Sequence, residues 1–158
     1  MNTAVCSKLK LWIATGFGLG YSPFVPGTVG SLAGVVLFWL FHPLTWYLYL
    51  LFIASLFFLG IWAADWAEVL FQEKDSSYIV IDEIVGFLIA AFLIPWSGLW
   101  MIAAFILFRI FDIIKPFPAG RAERLRGGLG IMLDDVGAGI YANLVLQGMR
   151  VWLCGPRI

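Results

Sequence analysis

Two pairs of adjacent acidic residues interrupt otherwise apolar stretches of the chain: Asp82 with Glu83, and Asp134 with Asp135. Carboxylate oxygens are hard ligands that suit Mg²⁺, an ion that also keeps waters and substrate phosphate oxygens as ligands. Adjacent residues on a helix diverge by about 100°, so one member of each pair can bind an ion while the other holds a base, a second metal or a neighbouring helix. Each pair alone is equally consistent with acids that stabilise the dipole at the start of a helix.

Arg109, Asp112 and Lys115 form a second charged group, directly before Pro116. Arg109 and Asp112 are three positions apart and are therefore neighbours on a helix surface. One interpretation is an internal ion pair. In the other, the guanidinium of Arg109 binds phosphate oxygens through parallel hydrogen bonds, Asp112 orients it or binds metal, and Lys115 adds a point charge.

The segment 23–31 combines prolines, glycines and hydroxyl side chains at the start of an apolar run. Free backbone N–H groups at a helix start favour an anion such as phosphate, and glycine lets the backbone approach a ligand closely. The candidate phosphate-binding residues are Gly27, Thr28, Gly30 and Ser31. The alternative is an N-cap with close helix packing, because Gly30 and Gly34 have the GxxxG spacing.

The composition indicates that membrane helices must position these residues. Hydrophobic residues make up 62% of the 158-residue chain and charged residues 13%, against about 25% charged residues in average globular proteins. Such a balance is typical of membrane proteins, and the length suits one domain over residues 1–158. The zero net charge gives no reason to expect a nucleic-acid partner. A single histidine, His42, excludes a histidine-rich metal centre.

Five apolar runs predict an all-α, polytopic membrane bundle of about five short spans, since about 20 helical residues cross a bilayer. The runs cover residues 28–41, 44–64, 78–94, 99–114 and 131–153. Residues 9–21 form a further candidate helix at the membrane interface, although three glycines interrupt them. The polar residues 65–77 and the glycine- and arginine-rich residues 117–130 are expected to be loops.

The distribution of charge predicts which end of the bundle carries the active site. Lys and Arg mark the cytoplasmic side; the residues concerned are Lys8, Lys10, Arg121, Arg124 and Arg126, with Arg150 and Arg157 falling towards the other side. With five spans, every acidic residue lies at the cytoplasmic face, and ionisable groups at membrane depth are functional candidates. We set aside four acids as solvated loop residues: Asp65, Glu68, Glu73 and Asp75.

Carboxylates, strong cations and a glycine-rich helix start together suit phosphoryl transfer, in which charge neutralisation and positioning do most of the catalysis. The membrane location favours a substrate whose phosphate is carried by a lipid. Water is the expected acceptor, because the chain has no nucleotide-binding loop of the Gly-x4-Gly-Lys-Ser/Thr type. Mg²⁺ would polarise the phosphoryl oxygens and activate water, with one carboxylate as general base. An aspartyl-phosphate route stays open.

The sequence resembles a known family, bacterial phosphatidylglycerophosphatase A, in motifs that cover nearly the whole chain in the family's order. The matching segments are residues 18–20, 23–31, 82–86, 108–118 and 128–139, while residues 75–78 depart from the Pro-Gly turn expected there. The resemblance implies an all-helical bundle that performs Mg²⁺-dependent hydrolysis of phosphatidylglycerophosphate to phosphatidylglycerol and phosphate at the bacterial inner membrane. The site residues that it implies are Asp82, Glu83, Arg109, Asp112, Lys115, Asp134 and Asp135. Among them we expect Asp82, Glu83, Asp134 and Asp135 to bind the metal.

Other functions would require different sequence features. A phosphatase acting on other lipid phosphates would use the same groups, and this alternative stays open. A CDP-alcohol phosphotransferase would need an Asp-Gly-x2-Ala-Arg run, which is absent. A non-enzymatic membrane carrier or assembly subunit predicts polar residues through the spans, whereas here the acids stop at one face.

Overall fold

A computed structural model of the chain describes residues 3–73, 75–117, 125 and 127–154, which form an all-helical bundle. Its α-helices are α1 (Thr3–Ala14), α2 (Pro26–Phe41), α3 (Trp46–Phe71), α4 (Ile81–Ala90), α5 (Gly98–Ile114) and α6 (Gly128–Cys154). A short 3₁₀ turn, Leu19–Tyr21, precedes α2, and no strand occurs in the described ranges. The predicted all-α class is therefore confirmed.

The shortest helix, α4, lies at the centre of the bundle and contacts α2, α3, α5 and α6. Most of its residues are buried, as expected of a helix that is apolar on nearly every side. Close approach to α5 and α6 depends on Gly86, where a Cβ would lie 2.6 Å from the Phe108 ring and 2.8 Å from the carbonyl oxygen of Asp135. A Cβ at Gly139 would likewise overlap the carbonyl oxygen of Gly86. Two glycines thus fix how closely α4 and α6 pack.

Side chains from α6 satisfy the backbone carbonyl groups where α4 ends. Asn143 Nδ2 donates to the carbonyl oxygens of Ala90 at 2.9 Å and Phe92 at 2.7 Å. Gln147 Nε2 donates to the same Phe92 oxygen at 3.1 Å. The last four carbonyls of a helix have no partner within that helix, and an unsatisfied group in hydrocarbon costs several kcal/mol. These bonds therefore allow α4 to end inside the bundle.

Arg150 and Tyr49 extend this arrangement to neighbouring carbonyls. Arg150 Nη1 donates to the carbonyl oxygen of Leu93 at 2.8 Å, and the Tyr49 hydroxyl donates to that of Leu88 at 3.0 Å. Asn143, Gln147 and Arg150 recur at helical spacing on one side of α6, and we call them the α6 polar row. Arg150 falls on the side opposite to most of the basic residues, and its hydrogen bond to Leu93 gives it a structural role there.

Two helices, α3 and α6, are long and apolar enough to cross a membrane, and α2 is a shorter apolar helix. The predicted count of about five spans is not confirmed. The ten residues of α4 rise only about 15 Å, half the thickness of a hydrocarbon core. Large apolar side chains such as Leu51 and Phe58 on α3 face outwards, 64% and 68% exposed. Together these features indicate a membrane-associated bundle.

The predicted helix boundaries agree best at α2, α5 and α6 and least at α1 and α3. The apolar run that we ended at residue 64 continues as helix to Phe71, so the prediction that Asp65 and Glu68 lie in a loop is wrong. Ala67 is fully buried on this extension, which explains why the helix persists beyond the first acid. The predicted interfacial helix over 9–21 instead begins at Thr3 and ends at Ala14.

Candidate active site

Three carboxylates converge where α4 begins beside α6. Asp82 and Glu83 occupy the first turn of α4, and one oxygen from each, together with one from Asp135 on α6, lie within 4.8 Å of one another. Asp82 and Asp135 are only 6% and 4% exposed. Asp82 Oδ1, Glu83 Oε2 and Asp135 Oδ2 are buried without a hydrogen-bond partner among the described residues. We call these three residues the carboxylate cluster.

The burial and crowding of its carboxylates make the carboxylate cluster suited to a bound cation. Two unit negative charges about 5 Å apart repel by roughly 3 kcal/mol at an effective dielectric constant of about 20. Buried carboxylates ordinarily need a cation or hydrogen-bond donors to be stable. Unpartnered oxygens from three carboxylates match the hard-oxygen preference of Mg²⁺, which leaves further positions for waters or phosphate. The residues present therefore fit a divalent ion.

The two acidic pairs differ in their relation to the helix dipole. Asp82 and Glu83 are in the first turn of α4, where carboxylates are favoured. The α6 helix begins at Gly128 and has no acid in its first turn, so Asp134 and Asp135 lie beyond the reach of that effect. The dipole alone therefore does not account for Asp135 at the carboxylate cluster.

Gly27 brings the start of α2 directly against the carboxylate cluster. A Cβ there would overlap Glu83 Oε1 and lie 3.1 Å from Arg109 Nη1. One turn later, a Cβ at Gly30 would lie 2.9 Å from the Val80 Cβ and 3.4 Å from the Glu83 Cβ. These glycines provide the close packing expected of small residues, and they place the start of α2 beside the acids.

The two hydroxyl residues predicted to bind phosphate have different surroundings. Ser31 is fully buried and its hydroxyl donates to the carbonyl oxygen of Gly27 at 2.8 Å. Its hydrogen is therefore used within α2. Thr28 is half-buried, and its backbone N–H donates to the carbonyl oxygen of Val25 at 2.9 Å. Phosphate binding by Thr28 or Ser31 stays a prediction.

Arg109 and Asp112 form the ion pair expected from their spacing. Arg109 Nη1 lies 2.8 Å from Asp112 Oδ2, and the two side chains are 19% and 16% exposed. The same nitrogen lacks a well-directed hydrogen bond to a described residue, so the guanidinium keeps donor capacity. Asp112 also lies near enough to Glu83 and Asp135 for their charges to interact. Arg109 therefore brings positive charge to the edge of the carboxylate cluster.

Lys115 and Asp134 form a separate ion pair next to this group. Lys115 closes α5 in a left-handed conformation with φ of 48°, and its Nζ contacts Asp134 Oδ2. Asp134 is not one of the three residues whose oxygens lie within 4.8 Å of each other. Three of the four residues expected to bind metal are thus grouped, whereas Asp134 pairs with Lys115 outside that group.

Residues near the site that sequence reasoning set aside include Asp65 and Asp75. Asp75 lies close enough to Asp82 for their charges to repel, although it is exposed. Asp65 Oδ1 accepts a hydrogen bond of 3.3 Å from the backbone N–H of Gly128, where α6 begins. In the sequence, the adjacent glycines at 127 and 128 are the feature that could have indicated a helix start bound by a side chain from elsewhere in the chain. The basic loop residues Arg121, Arg124 and Arg126 lie outside the described residues.

The chain matches the family model for phosphatidylglycerophosphatase A over residues 12–150. A protein of Bacteroides thetaiotaomicron, named as a candidate phosphatidylinositol-3-phosphatase, is 43% identical over 158 residues, covering 94% of this chain and 98% of the relative. A phosphatidylglycerophosphatase A of Haemophilus influenzae is 43% identical over 144 residues, covering 89% of this chain and 88% of the relative. One of Escherichia coli is 38% identical over 149 residues, covering 89% and 86%.

No solved structure matches the chain, so its kinship is established by sequence alone. The family match spans all of the site residues placed above, from Gly27 to Asp135. With relatives at this level of identity over nearly their full length, the resemblance inferred from the motifs is confirmed. The chain belongs to the phosphatidylglycerophosphatase A family of phosphoric monoester hydrolases.

Proposed function

We propose that this chain is a single-domain lipid phosphatase that hydrolyses phosphatidylglycerophosphate to phosphatidylglycerol and inorganic phosphate, with Mg²⁺ bound by Asp82, Glu83 and Asp135. The observation that carries the proposal is the carboxylate cluster, whose buried oxygens lack partners among the described residues. The names of two relatives supply the substrate. Catalysis of this kind needs charge neutralisation and positioning more than covalent chemistry.

The phosphate would be bound between the carboxylate cluster and the start of α2. When bound, Mg²⁺ polarises the phosphoryl oxygens and makes water a better nucleophile. The Arg109 guanidinium, beside Gly27 and Glu83, donates to the phosphate oxygens and neutralises charge that develops on them. The close approach at Gly27 places the first turn of α2 beside the same phosphate position.

The hydrolysis itself requires a proton acceptor and a proton donor. The oxygen of water forms a bond to phosphorus, the bond from phosphorus to the lipid oxygen breaks, and the proton lost by water ends on that lipid oxygen. We assign the acceptor to one of the carboxylates Asp82, Glu83 or Asp112. We place Lys115, paired with Asp134, where it neutralises the leaving oxygen. Trapping with hydroxylamine would reveal the alternative aspartyl-phosphate route.

We place the site at the cytoplasmic face of the bacterial inner membrane, in a multi-pass chain. Lys8 and Lys10 near the N-terminus support this orientation by the positive-inside rule. The exposed Ser77 lies in the turn before α4, on the side of the carboxylate cluster. A cysteine at Ser77 should therefore react with an impermeant maleimide in inverted vesicles and not in intact cells.

Hydrolysis of another lipid phosphate is the second candidate function, because one relative is named for a phosphoinositide. Both substrates carry a phosphomonoester on a lipid. The charges at the site suit this group in either substrate and therefore do not select between them. A carrier function is less well supported, since Asn143, Gln147 and Arg150 each donate to a backbone carbonyl. Their polar groups are used to end α4 and do not form a path for an ion.

The test is release of phosphate by the purified protein in detergent. Phosphatidylglycerophosphate and phosphatidylinositol-3-phosphate are offered separately with Mg²⁺, and each assay is repeated with excess EDTA. We expect Mg²⁺-dependent release from phosphatidylglycerophosphate, its loss with EDTA and its loss in Asp82→Asn. Preference for the phosphoinositide would establish the second candidate, and no release from either lipid under varied metal conditions would overturn both.

A further inference from the structure

An apolar groove of about 780 Å³ lies between α1, α2 and α3. Every residue that lines it is apolar or glycine. Leu32, Val36 and Leu37 form its α2 wall, and Leu56 on α3 lies across from them. Leu32 and Val36 are 50% and 54% exposed, so the groove is open along the side of the bundle. An extended apolar segment is the chemistry that such a shape accepts.

The groove ends at the same helix turns that carry the carboxylate cluster. Ile81 and Ile84 of α4 line the groove, and in the sequence they flank Asp82 and Glu83. On α2, the groove begins at Val29, two residues after the glycine that packs against Glu83. One ligand can therefore have its polar group at the acids and its apolar part in the groove.

We propose that this groove binds an acyl chain of the lipid whose phosphate enters the carboxylate cluster. The proposal rests on the proposed function and deepens it by locating the apolar half of the substrate. From Val29 to Leu37 the α2 wall rises about 12 Å, close to the depth of one hydrocarbon leaflet, which is about 15 Å. The groove therefore suits one acyl chain running from the headgroup region towards the bilayer centre.

The groove acts mainly by orienting the substrate. An acyl chain that leaves the bilayer for the groove exchanges one apolar environment for another, so little hydrophobic driving force is available. A chain held along α2 nevertheless restricts where the phosphate can lie, and correct placement of reacting groups contributes strongly to rate. Blocking the groove should consequently affect substrates with long chains and spare substrates without them.

Val36 and Leu40 provide a matched pair of substitutions to tryptophan. Both are on α2, one turn apart, and both are 54% exposed, but only Val36 lines the groove. We expect Val36→Trp to lower kcat/KM for a dioleoyl substrate by about fivefold or more and to change that for a dibutanoyl substrate by less than about twofold. Leu40→Trp should leave both substrates unchanged. Leu32→Trp serves as a second groove variant if Val36→Trp folds poorly.

Photocrosslinking tests binding without relying on turnover. A non-hydrolysable phosphonate analogue of phosphatidylglycerophosphate, with a diazirine in mid-chain, is irradiated with the wild-type protein, and the labelled peptides are mapped. We expect labels on the α2 and α3 walls that unlabelled substrate suppresses at least about fivefold and phosphatidylcholine does not, as competition for one site requires. Equal suppression by both lipids would mean general lipid contact and would overturn the proposal.

The outcomes separate the groove from the proposed function. If the wild type hydrolyses the dioleoyl substrate but Val36→Trp and Leu32→Trp behave like Leu40→Trp, the groove proposal is wrong and the phosphatase proposal stands. If the wild type releases no phosphate from either chain length, the proposed function fails, and suppressible crosslinking still establishes the groove as a lipid site.

Discussion

Gly27 at the start of α2 lies so close to Glu83 that a methyl group in place of its hydrogen would overlap the carboxylate oxygen Oε1. This contact joins the glycine-rich segment to the carboxylate cluster. It also places Arg109 Nη1 within 3.1 Å of the same position. Three helices, α2, α4 and α5, therefore meet at one carboxylate.

The first prediction concerns this contact. Gly27→Ala should displace Glu83 and lower kcat/KM for phosphate release by about tenfold or more, since misplacement by about 1 Å can cost a hundredfold. Gly148→Ala is the control, because a Cβ at this helical glycine meets nothing within 4 Å. It should leave activity unchanged and at most stabilise α6. Equal activity in Gly27→Ala and wild type would mean that activity does not depend on the close contact between Gly27 and the Glu83 carboxylate.

The second prediction separates metal binding from folding. Asp135→Asn replaces one of three crowded, buried carboxyl groups by a neutral amide, so without metal it should raise the unfolding temperature by about 3 °C or more, given about 2–4 °C per kcal/mol at this size. The same variant should lose the stabilisation that Mg²⁺ gives the wild type. Thermal unfolding in detergent, with EDTA and with Mg²⁺, measures both effects. A wild type that Mg²⁺ does not stabilise would contradict the metal site.

The third prediction distinguishes Asp134 from Asp82. Both Asp134→Asn and Asp82→Asn should reduce turnover strongly, but only Asp82→Asn should weaken binding of Mn²⁺, because Asp134 pairs with Lys115 and lies outside the carboxylate cluster. We expect at least about a tenfold rise in the Mn²⁺ dissociation constant for Asp82→Asn and less than about twofold for Asp134→Asn. Electron paramagnetic resonance of free Mn²⁺ provides the measurement. A comparable loss in both variants would make Asp134 a ligand.

The fourth prediction concerns the α6 polar row. Asn143→Leu removes the side-chain donor to Ala90 and one of the two donors to Phe92. Because the Ala90 carbonyl then loses its side-chain partner, the protein should be destabilised by about 2 kcal/mol. Asn143→Gln keeps an amide and should recover part of the loss. The control is Leu144→Met, since Leu144 is 63% exposed on the same helix and should change stability little. Chemical unfolding followed by circular dichroism compares the stabilities of these variants. A loss of stability in Leu144→Met equal to that in Asn143→Leu would contradict the role of Asn143 in binding these carbonyls.

The parts of the structure that sequence patterns predicted well are those set by composition and local chemistry. The boundaries of α5 followed from a proline turn on one side and Lys115 with Pro116 on the other. The acids at 82, 83 and 135 were identifiable because charge at membrane depth is costly. Their grouping into one site followed from placing all acids at one face.

What could not be predicted depends on contacts between helices that are distant in the sequence. The continuation of α3 past Asp65 relies on burial of Ala67 and on the bond to Gly128. The pairing of Asp134 with Lys115 rather than with the other acids depends on where α5 ends relative to α6. The α6 polar row did leave a signal, since Asn143, Gln147 and Arg150 are spaced at i, i+4 and i+7.

Because α4 is short and bound at its end, the number of residues in it determines where the active-site acids lie. Its first turn presents Asp82 and Glu83, while the carbonyl of its last residue, Ala90, is bound by Asn143. One inserted or deleted residue between Glu83 and Ala90 would rotate the acids by about 100° and shift them by about 1.5 Å relative to that anchor. Related chains should therefore vary in length in the turns on either side of α4 and keep this interval constant.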